Sequence, residues 1–358
     1  MPSTGKPLIH VTIFIFPLIF ITVTSESYAY HEIAGSPREK KTFDTFTIYW
    51  ENDFFVGTDR DYSNGLKLTW STPYEIDNGE NHLPEWSYPL INKLPFVDDP
   101  GTHRAVSISA GHMVFTPDDT SQTNVVVDDR PYAGYLYMAS GFHNRSRNRK
   151  NSWELQFGLV GPLSFAEEAQ DFFHDVLNSN KAEGWDNQLG NEVALEIICE
   201  SQWRFSQANP QSSFNLDLIP HMGFRVGNVQ IYANAGAELR YGWNLPKNFG
   251  SCPIRAGCAT NSAFNDTQPV TPGRIFKGWH VFAAVDGRAV AHDIFLDGNT
   301  FSDSHSVDRK VFVADLMAGL AINFGKMRAT YSYVMRTKQF NTETKNHRFG
   351  SINFSWSF

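Results

Sequence analysis

The stretch that decides the fold is the end of the chain, Gly350-Ser351-Ile352-Asn353-Phe354-Ser355-Trp356-Ser357-Phe358. Its apolar residues alternate strictly with serine and asparagine, which gives a strand one apolar face and one polar face. The polar side of a strand in a soluble sandwich usually carries charge, and this stretch carries none. A closed barrel in lipid needs strands of about ten residues with apolar side chains outside and polar side chains inside. The stretch therefore predicts a membrane-embedded β-barrel.

The same alternation recurs along the chain, for example in 152–161, 229–242 and 327–338. Counting by this rule predicts an all-β, antiparallel barrel of twelve strands, an even number as single-chain bacterial barrels require. The predicted ranges are 42–51, 63–72, 105–115, 133–142, 152–161, 193–206, 213–225, 229–242, 277–290, 309–324, 327–338 and 347–358. The final Phe358 resembles the C-terminal aromatic signal of bacterial outer-membrane proteins. We therefore expect a multi-pass barrel in that membrane.

The first residues are predicted to be a targeting segment. An apolar run from Leu8 to Val23 follows Lys6, and Ser27 and Ala29 then offer a small-x-small cleavage site. This pattern predicts a signal peptide over residues 1–29 and a barrel domain over 30–358. An uncleaved membrane anchor is the alternative. No later stretch approaches the roughly 20 consecutive apolar residues of a spanning helix.

The composition excludes one class of partner. Asp and Glu number 38 against 30 Lys and Arg, whereas nucleic-acid binding needs a basic face. The 29 Phe, 9 Trp and 13 Tyr suit sheets and membrane girdles. Cys252 and Cys258 lie in one loop and could pair in an oxidising compartment, and Cys199 is left over. We expect a monomer.

The order of the strands predicts which loops share a side of the membrane. If the N-terminus is periplasmic, the connections 52–62, 116–132 and 162–192 lie on the outer side, and 73–104 and 243–276 lie on the inner side. Every chemically suggestive residue falls in the three outer connections. The last of them contains one short helix, which Ser164 can cap with Glu167 at capping-box spacing. The apolar stripe of this predicted helix is formed by Phe165, Ala169, Phe172, Phe173 and Val176.

His174 is the candidate general base. A lone histidine is more often a surface or packed residue, but His174 follows Gln170 by one helical turn. It is also predicted to share the outer rim with Asp53 and Ser63. Histidine is the side chain whose unperturbed pKa permits proton abstraction near neutral pH. The hypothesis is that His174 and Gln170 belong to a catalytic site.

Three other motifs could contribute polar groups. Asn52 and Asp53 offer an amide oxygen and a carboxylate, both suited to Ca²⁺, although Asn and Asp also stabilise ordinary turns. Ser63 precedes Asn64-Gly65, and Ser-Asn-Gly is likewise a common turn. Arg130 could hold a phosphate or carboxylate, or it could pair with Asp129.

Six motifs in order carry a family resemblance. They are Glu51-Asn52-Asp53-Phe54-Phe55, Thr58-Asp59-Arg60 with Tyr62-Ser63-Asn64-Gly65, Asp129-Arg130-Pro131-Tyr132-Ala133-Gly134, Val160-Gly161-Pro162, Gln170 with His174, and Gly184-Trp185-Asp186-Asn187-Gln188-Leu189. Together they resemble the lipid A 3'-O-deacylase family of Gram-negative outer membranes. The resemblance extends from about residue 42 to Phe358 and is strongest up to about residue 192.

The resemblance implies a twelve-stranded barrel that hydrolyses lipid A with calcium, at a site on the outer rim beneath a loop helix. His174 matches the essential histidine, and Asn52 and Asp53 match the amide–carboxylate pair at the metal. Ser63 matches the active-site hydroxyl, and Gln170 matches the helix amide. We also expect Arg130 and Arg60 to bind the substrate.

The working hypothesis is removal of the 3'-acyloxyacyl chain of lipid A, with His174 taking a proton from water and Ca²⁺ polarising the ester carbonyl. One alternative is an outer-membrane phospholipase with a Ser63–His174 couple and an acyl-enzyme. Another is a non-enzymatic barrel or porin, which the charged residues expected in the lumen would suit.

Overall fold

The computed structural model describes residues 43–56, 61–76, 93–95, 102–177, 180–207, 212–251 and 275–358. The predicted signal peptide, Arg60 and the Cys252–Cys258 pair lie outside these residues, as does the side chain of Ser63. The barrel belongs to one compact unit, Lys41–Phe358. In the described parts of the chain, every helix is too short or too polar to cross a bilayer.

Twelve antiparallel strands form the barrel. They are β1 Thr45–Asn52, β2 Asp61–Ser71, β3 His103–Thr116, β4 Ala133–Arg145, β5 Arg149–Val160, β6 Glu192–Trp203, β7 Phe214–Gly227, β8 Gln230–Trp243, β9 Phe276–Asp293, β10 Phe312–Phe324, β11 Met327–Arg336 and β12 His347–Ser357. Each strand pairs with its neighbours in sequence, and β1 pairs with both β2 and β12. The ring is therefore closed, and the predicted fold is confirmed.

Short elements complete the fold. Two short strands, Glu75–Ile76 and Phe205–Gln207, pair with β3 and β7 and extend the pairing of β2 and β6 with those strands. Helix α1 spans Ala166–Leu177 and helix α2 spans Ile294–Asp297. Three 3-10 turns cover Asp53–Val56, Pro162–Ser164 and Trp185–Asn187.

The two faces of the strands differ as the alternation predicts. Exposed apolar side chains lie on the outer face of the barrel, among them Ile108, Met138, Phe157, Leu195, Met222, Leu239, Val281, Leu320, Tyr331 and Trp356. The closing β12–β1 pair shows the inner face. There the buried hydroxyls of Thr47 and Ser355 lie 3.0 Å apart.

Charged residues inside the barrel are paired with one another. Lys67 lies 3.1 Å from Glu154, and both side chains are 1% exposed. Asp315 accepts from Arg288 and Arg336, each at 2.8 Å. An internal cavity of about 110 Å³ is lined by residues from all twelve strands. The cavity is small, and paired charged side chains line it.

One end of the barrel, called here the upper end, is where β1 ends and β2 begins. The connections 117–132, 161–191, 294–311 and 337–346 meet at this end. Helix α2 folds into the barrel there, where the Phe295 ring stacks on Phe115 with centroids 4.0 Å apart. The predicted outer connections thus share one end of the barrel.

Candidate functional site between helix α1 and the barrel wall

Helix α1 packs against the outer surface of the barrel wall, next to β3 and β4. Gly134 makes this possible, since a Cβ atom there would lie 2.0 Å from Ser164 Oγ and 2.2 Å from the Cβ of Ala166. Val114, on the outward face of β3, is fully buried and packs with Ala166. Gly134, the last residue of the Asp129–Gly134 motif, therefore allows the helix to approach the wall.

The side chains that α1 buries are mostly polar. Ala166, Gln170 and His174 follow one another at helical spacing and are 1%, 4% and 7% exposed. In contrast, Phe165 and Phe172 are 56% and 64% exposed. A helix in water buries its apolar stripe, whereas this helix presents part of that stripe to its surroundings. The face of α1 that meets the wall therefore carries Ala166, Gln170 and His174.

The start of α1 differs from the prediction. Ser164 does not cap the helix, because it lies in the preceding 3-10 turn and its hydroxyl donates to the Gly161 carbonyl at 2.6 Å. Phe165 then adopts a left-handed backbone conformation (φ 58°) between the two elements. The capping prediction was wrong because a second turn, which starts at Pro162, takes up the serine hydroxyl.

An aromatic contact joins α1 to the end of β1. Phe173, the residue before His174, stacks on Trp50 with ring centroids 6.1 Å apart. The Trp50 indole N–H donates to Asn64 Oδ1 at 3.0 Å, and the Asn52 amide reaches the same oxygen at 3.4 Å. This chain of contacts brings the helix that carries His174 to the segment that carries Asn52.

Ser63 lies at a β-bulge. In the pairing of β2 with β3, Tyr62 opposes Phe115 and Asn64 opposes Val114, so Ser63 is an extra residue on its strand. Bulges of this kind occur next to active sites, where they redirect side chains. Asn64, the next residue, lies opposite Asn52 in the β1–β2 pairing and is 6% exposed. The backbone of Ser63 is therefore beside the Asn52–Asn64 pair.

Asp53 begins the 3-10 turn that follows β1, and its side chain is 1% exposed. The Asp53 carboxylate and the Asn52 amide oxygen are hard donors of the type that Ca²⁺ prefers. Within the described residues, no group of three His, Cys, Asp or Glu side chains is arranged to hold a metal. A Ca²⁺ ion takes six to eight oxygen ligands, so this pair fits it only together with backbone, water or substrate oxygens.

Trp185 fixes Gln170. Its indole N–H donates to Gln170 Oε1 at 2.8 Å, and its ring packs on Tyr132 with centroids 4.9 Å apart. Burial raises the pKa of Tyr132 to about 12, so this phenol stays protonated. Among the described residues, Gln170 Nε2 and His174 Nδ1 are buried and have no hydrogen-bond partner.

The structure separates Arg130 from the other candidates. It is 2% exposed, lines the internal cavity, and donates to Gln339 Oε1 at 2.9 Å. Phe340 packs against its guanidinium at 5.5 Å. Its contacts thus lie in the loop after β11, away from α1, and substrate binding by Arg130 and Arg60 stays a prediction.

The sequence analysis assigned no role to three residues that the structure brings near the site: Asn64, Trp185 and His112. His112 is half-buried on the outward face of β3, opposite Leu66 of β2. Its ring is hydrogen-bonded to the backbone of Ser164, and its Nε2 has no partner among the described residues. A histidine at an outward position of a strand is a signal that the alternation itself could have supplied.

The face of α1 turned away from the wall is acidic. Partial burial, and then the neighbouring carboxylates of Glu168 and Asp171, raise the pKa of Glu167. Lys181 is the nearest balancing charge, at 3.0 Å from Asp171 and 3.3 Å from Asp175.

Comparisons with known proteins were made by family and by structure. A family model described as outer membrane protein LpxR matches residues 14–358. LpxR from Salmonella typhimurium has a TM-score of 0.69 and 17% identity, with 88% of this chain and 100% of that chain covered. The β-domain of the Bordetella autotransporter Brka has a TM-score of 0.45 and 8% identity, with 89% and 100% covered. No curated protein sequence matches the chain.

Proposed function

This chain belongs to the LpxR family of outer membrane proteins, and we propose that it removes the ester-linked 3'-acyloxyacyl chain of lipid A at the site between α1 and the barrel wall. The family is the one that the six sequence motifs resemble, that of the lipid A deacylases. Its location in the outer membrane brings the upper end of the barrel next to lipid A in the outer leaflet. Hydrolysis of the acyl ester is the chemistry for which the site is best suited.

One observation carries the proposal: α1 buries Gln170 and His174 side by side against the wall, while Phe172 on the helix and Phe165 just before it are exposed. Buried polar atoms nearly always have partners, yet among the described residues Gln170 Nε2 and His174 Nδ1 have none. A donor and an acceptor lie one turn apart on a buried helix face. A water molecule and an ester oxygen would supply the hydrogen-bond partners that these two atoms lack among the described residues.

In the proposed reaction, His174 Nδ1 takes a proton from a water molecule, which attacks the ester carbonyl. The tetrahedral intermediate then breaks its bond to the sugar oxygen, and His174 returns the proton to that oxygen, which releases a free fatty acid and the sugar hydroxyl. Gln170 Nε2 donates a hydrogen bond to the oxygen that becomes negative. Trp185 holds Gln170 in the orientation that leaves Nε2 available, since its N–H already occupies Oε1. General base catalysis of this kind contributes about 10²–10⁴-fold.

Asn52 and Asp53 would hold the Ca²⁺ ion. When bound there, the ion would supply positive charge that polarises the ester carbonyl and stabilises the oxyanion. Asn64 supports the geometry, because its Oδ1 accepts from both Trp50 and Asn52. The backbone bulge at Ser63 places this residue beside the pair, where its hydroxyl would orient water or substrate.

The route of the substrate follows from the exposed apolar residues. Phe172 on α1, together with Leu163 and Phe165 just before the helix, presents apolar surface at the upper end of the lipid-facing belt. A lipid whose chains already lie in the outer leaflet can reach the wall beneath α1 without leaving the membrane. The access is lateral, so the filled lumen does not obstruct it.

The two alternative functions are a phospholipase and a channel. A phospholipase that uses Ser63 as nucleophile loses all activity in Ser63→Ala, whereas attack by water predicts partial retention and full activity in Ser63→Thr. A channel function is disfavoured by the small internal cavity and the paired charges of the described lumen.

The test is mass spectrometry of lipid A from a Gram-negative host with and without the full-length protein. We expect lipid A that lacks the 3'-acyloxyacyl group only when the protein is expressed, and we expect calcium chelation to suppress that product in isolated membranes. A liposome phospholipase assay with the purified protein should be negative. Unchanged lipid A together with phospholipid hydrolysis would overturn the proposal.

A further inference from the structure

The outer wall of β8, β9 and β10 carries a groove that the proposed reaction does not use. It is a shallow, open groove with a volume of about 800 Å³. The outward-facing residues of its floor carry nothing larger than a methyl group, and they are Ala233, Ala235, Gly287, Ala289 and Ala314. The inward-facing positions between them, Asn234, Arg288 and Val313, also line the groove. These residues adjoin in the sheet, with Ala233 opposite Ala289, and Gly287 opposite both Ala235 and Ala314.

The groove and the candidate catalytic site lie on opposite walls. Helix α1 packs beside β3, and β9 is six strands from β3 in either direction around the twelve-strand ring. No residue of α1 lines the groove. A ligand bound in the groove is therefore a different molecule from a substrate bound beneath α1.

Exposed apolar side chains, of the kind that contact lipid chains, lie around the groove. Phe312, which forms one side, is 78% exposed, and Leu316 on the same face of β10 is 45% exposed. A gap of this size in an otherwise bulky apolar belt forfeits dispersion contacts unless something fills it. In a membrane, the molecules available to fill it are acyl chains.

The upper end of the groove is cationic. Lys310 and Lys338 line it where it meets the loops, beside the exposed Asn346. The protein as a whole has a formal net charge of −8, and α1 on the opposite wall is acidic. Lysine is a common phosphate ligand, and basic residues at a membrane surface attract anionic headgroups.

We propose that this groove binds one lipid A molecule as a resident, non-substrate lipid, with an acyl chain on the small-residue floor and a phosphate group on Lys310 and Lys338. The choice of lipid rests on the proposed function, which places this end of the barrel in the leaflet that contains lipid A, a phosphorylated glycolipid that combines both features in one molecule. A two-fold contact between copies of this chain through the groove would instead bring like charges together. The proposal is independent of which ester the enzyme cleaves.

The test counts lipids bound to the full-length protein in detergent by native mass spectrometry. His174→Ala serves as the parent so that added lipid A stays intact. The probes are purified lipid A and phosphatidylglycerol. The groove variants are Lys310→Glu with Lys338→Glu, and Ala235→Trp, which fills the floor. Matched controls are Lys247→Glu, an exposed lysine at the other end, and Ala318→Trp, an outward alanine of β10 outside the groove.

We expect the affinity of the groove for lipid A to fall about tenfold or more in each groove variant. At the same lipid concentration, each variant should therefore bind one lipid A fewer than the parent. The controls should keep the count of the parent, and phosphatidylglycerol should not replace lipid A. The difference of one lipid holds whether or not a second lipid A binds beneath α1. Equal counts in all variants, equal retention of phosphatidylglycerol, or a charge-sensitive dimer would overturn the proposal. Heat-dependent gel migration checks that every variant forms the barrel.

Discussion

Two parts of the outer wall, both near the upper end, carry opposite kinds of residues. Beneath α1, the outward residues of β1, β2 and β3 include Asn52, Asn64 and His112. On the far wall, the outward residues at the top of β8 and β9 are Ala233 and Ala289. Polar groups that face lipid are costly in a barrel. The wall thus carries these polar side chains where helix α1 packs against it, and methyl groups on the opposite side, away from this helix.

The largest effect should come from His174→Ala. If the polar patch is catalytic, loss of the base should lower the rate of lipid A deacylation by about 10²–10⁴-fold while the barrel remains folded. His305→Ala is the matched control. This residue also lies at the upper end, where it contacts the Asp129 carbonyl, and its replacement should leave most of the activity. A His174→Ala protein with the wild-type rate would show that the polar patch beneath α1 is not catalytic.

Calcium removal should have the next largest effect. Chelation should reduce the rate by about a hundredfold, because a positioned cation contributes several kcal/mol, and added Ca²⁺ should restore it. Asp53→Asn, measured in the same assay, should need a higher Ca²⁺ concentration for half-maximal rate. A calcium response identical in the wild type and Asp53→Asn would place the ion elsewhere.

Trp185→Phe tests the hydrogen bond between Trp185, in the loop after α1, and Gln170 of α1. Phenylalanine keeps the ring that packs on Tyr132 but removes the N–H that binds Gln170. We expect kcat to fall about tenfold with little change in KM, since one buried hydrogen bond is worth roughly 1–3 kcal/mol when its partner is left unsatisfied. Trp153→Phe, which removes an indole bond to Pro95 at the other end, should leave kcat unchanged. Equal losses in both variants would mean that Trp185 acts only on stability.

Phe172→Ser tests lateral access. Removing an exposed apolar side chain of α1 should raise KM for lipid A about fivefold to thirtyfold, as expected for a loss of about 1–2 kcal/mol of apolar contact, and should leave kcat unchanged. The control is Phe301→Ser, a 77% exposed phenylalanine in the loop after α2. If both variants shift KM equally, α1 holds no special place in substrate entry.

The smallest effect on catalysis should come from the lumen. Asp315→Ala leaves Arg288 and Arg336 without the carboxylate they share, which should cost about 3–5 kcal/mol of stability. The rate per folded molecule should not change, because the lumen is not part of the site. Unfolding in urea and deacylation by the folded fraction measure the two quantities separately.

The alternation of residues predicted the barrel well. All twelve strands begin and end within three residues of their predicted ranges, because one-sided contact with lipid imposes a period of two along each strand. The helix with Gln170 and His174 was predicted as well. Its buried face was not, since the amphipathic rule assumes water on the open side, and here Phe165 and Phe172 are exposed instead.

Other features depend on contacts that a single sequence does not display. The bulge at Ser63 follows from the register between β2 and β3, and the role of Trp185 follows from a contact with a helix fifteen residues earlier. The contacts of Arg130 with Gln339 and Phe340, in the loop after β11, likewise depend on the folded structure. Long-range contacts of this kind decide whether a polar residue is structural or functional.

The most direct test of the account is to locate lipid A on the folded protein. A photo-reactive benzoylphenylalanine at Phe173, in the His174→Ala background, should form a covalent adduct with lipid A in the outer membrane. The same residue at Tyr137, an aromatic position in the lumen that is 3% exposed, should form none. An adduct at Tyr137 without one at Phe173 would contradict the claim that the reaction occurs between α1 and the wall.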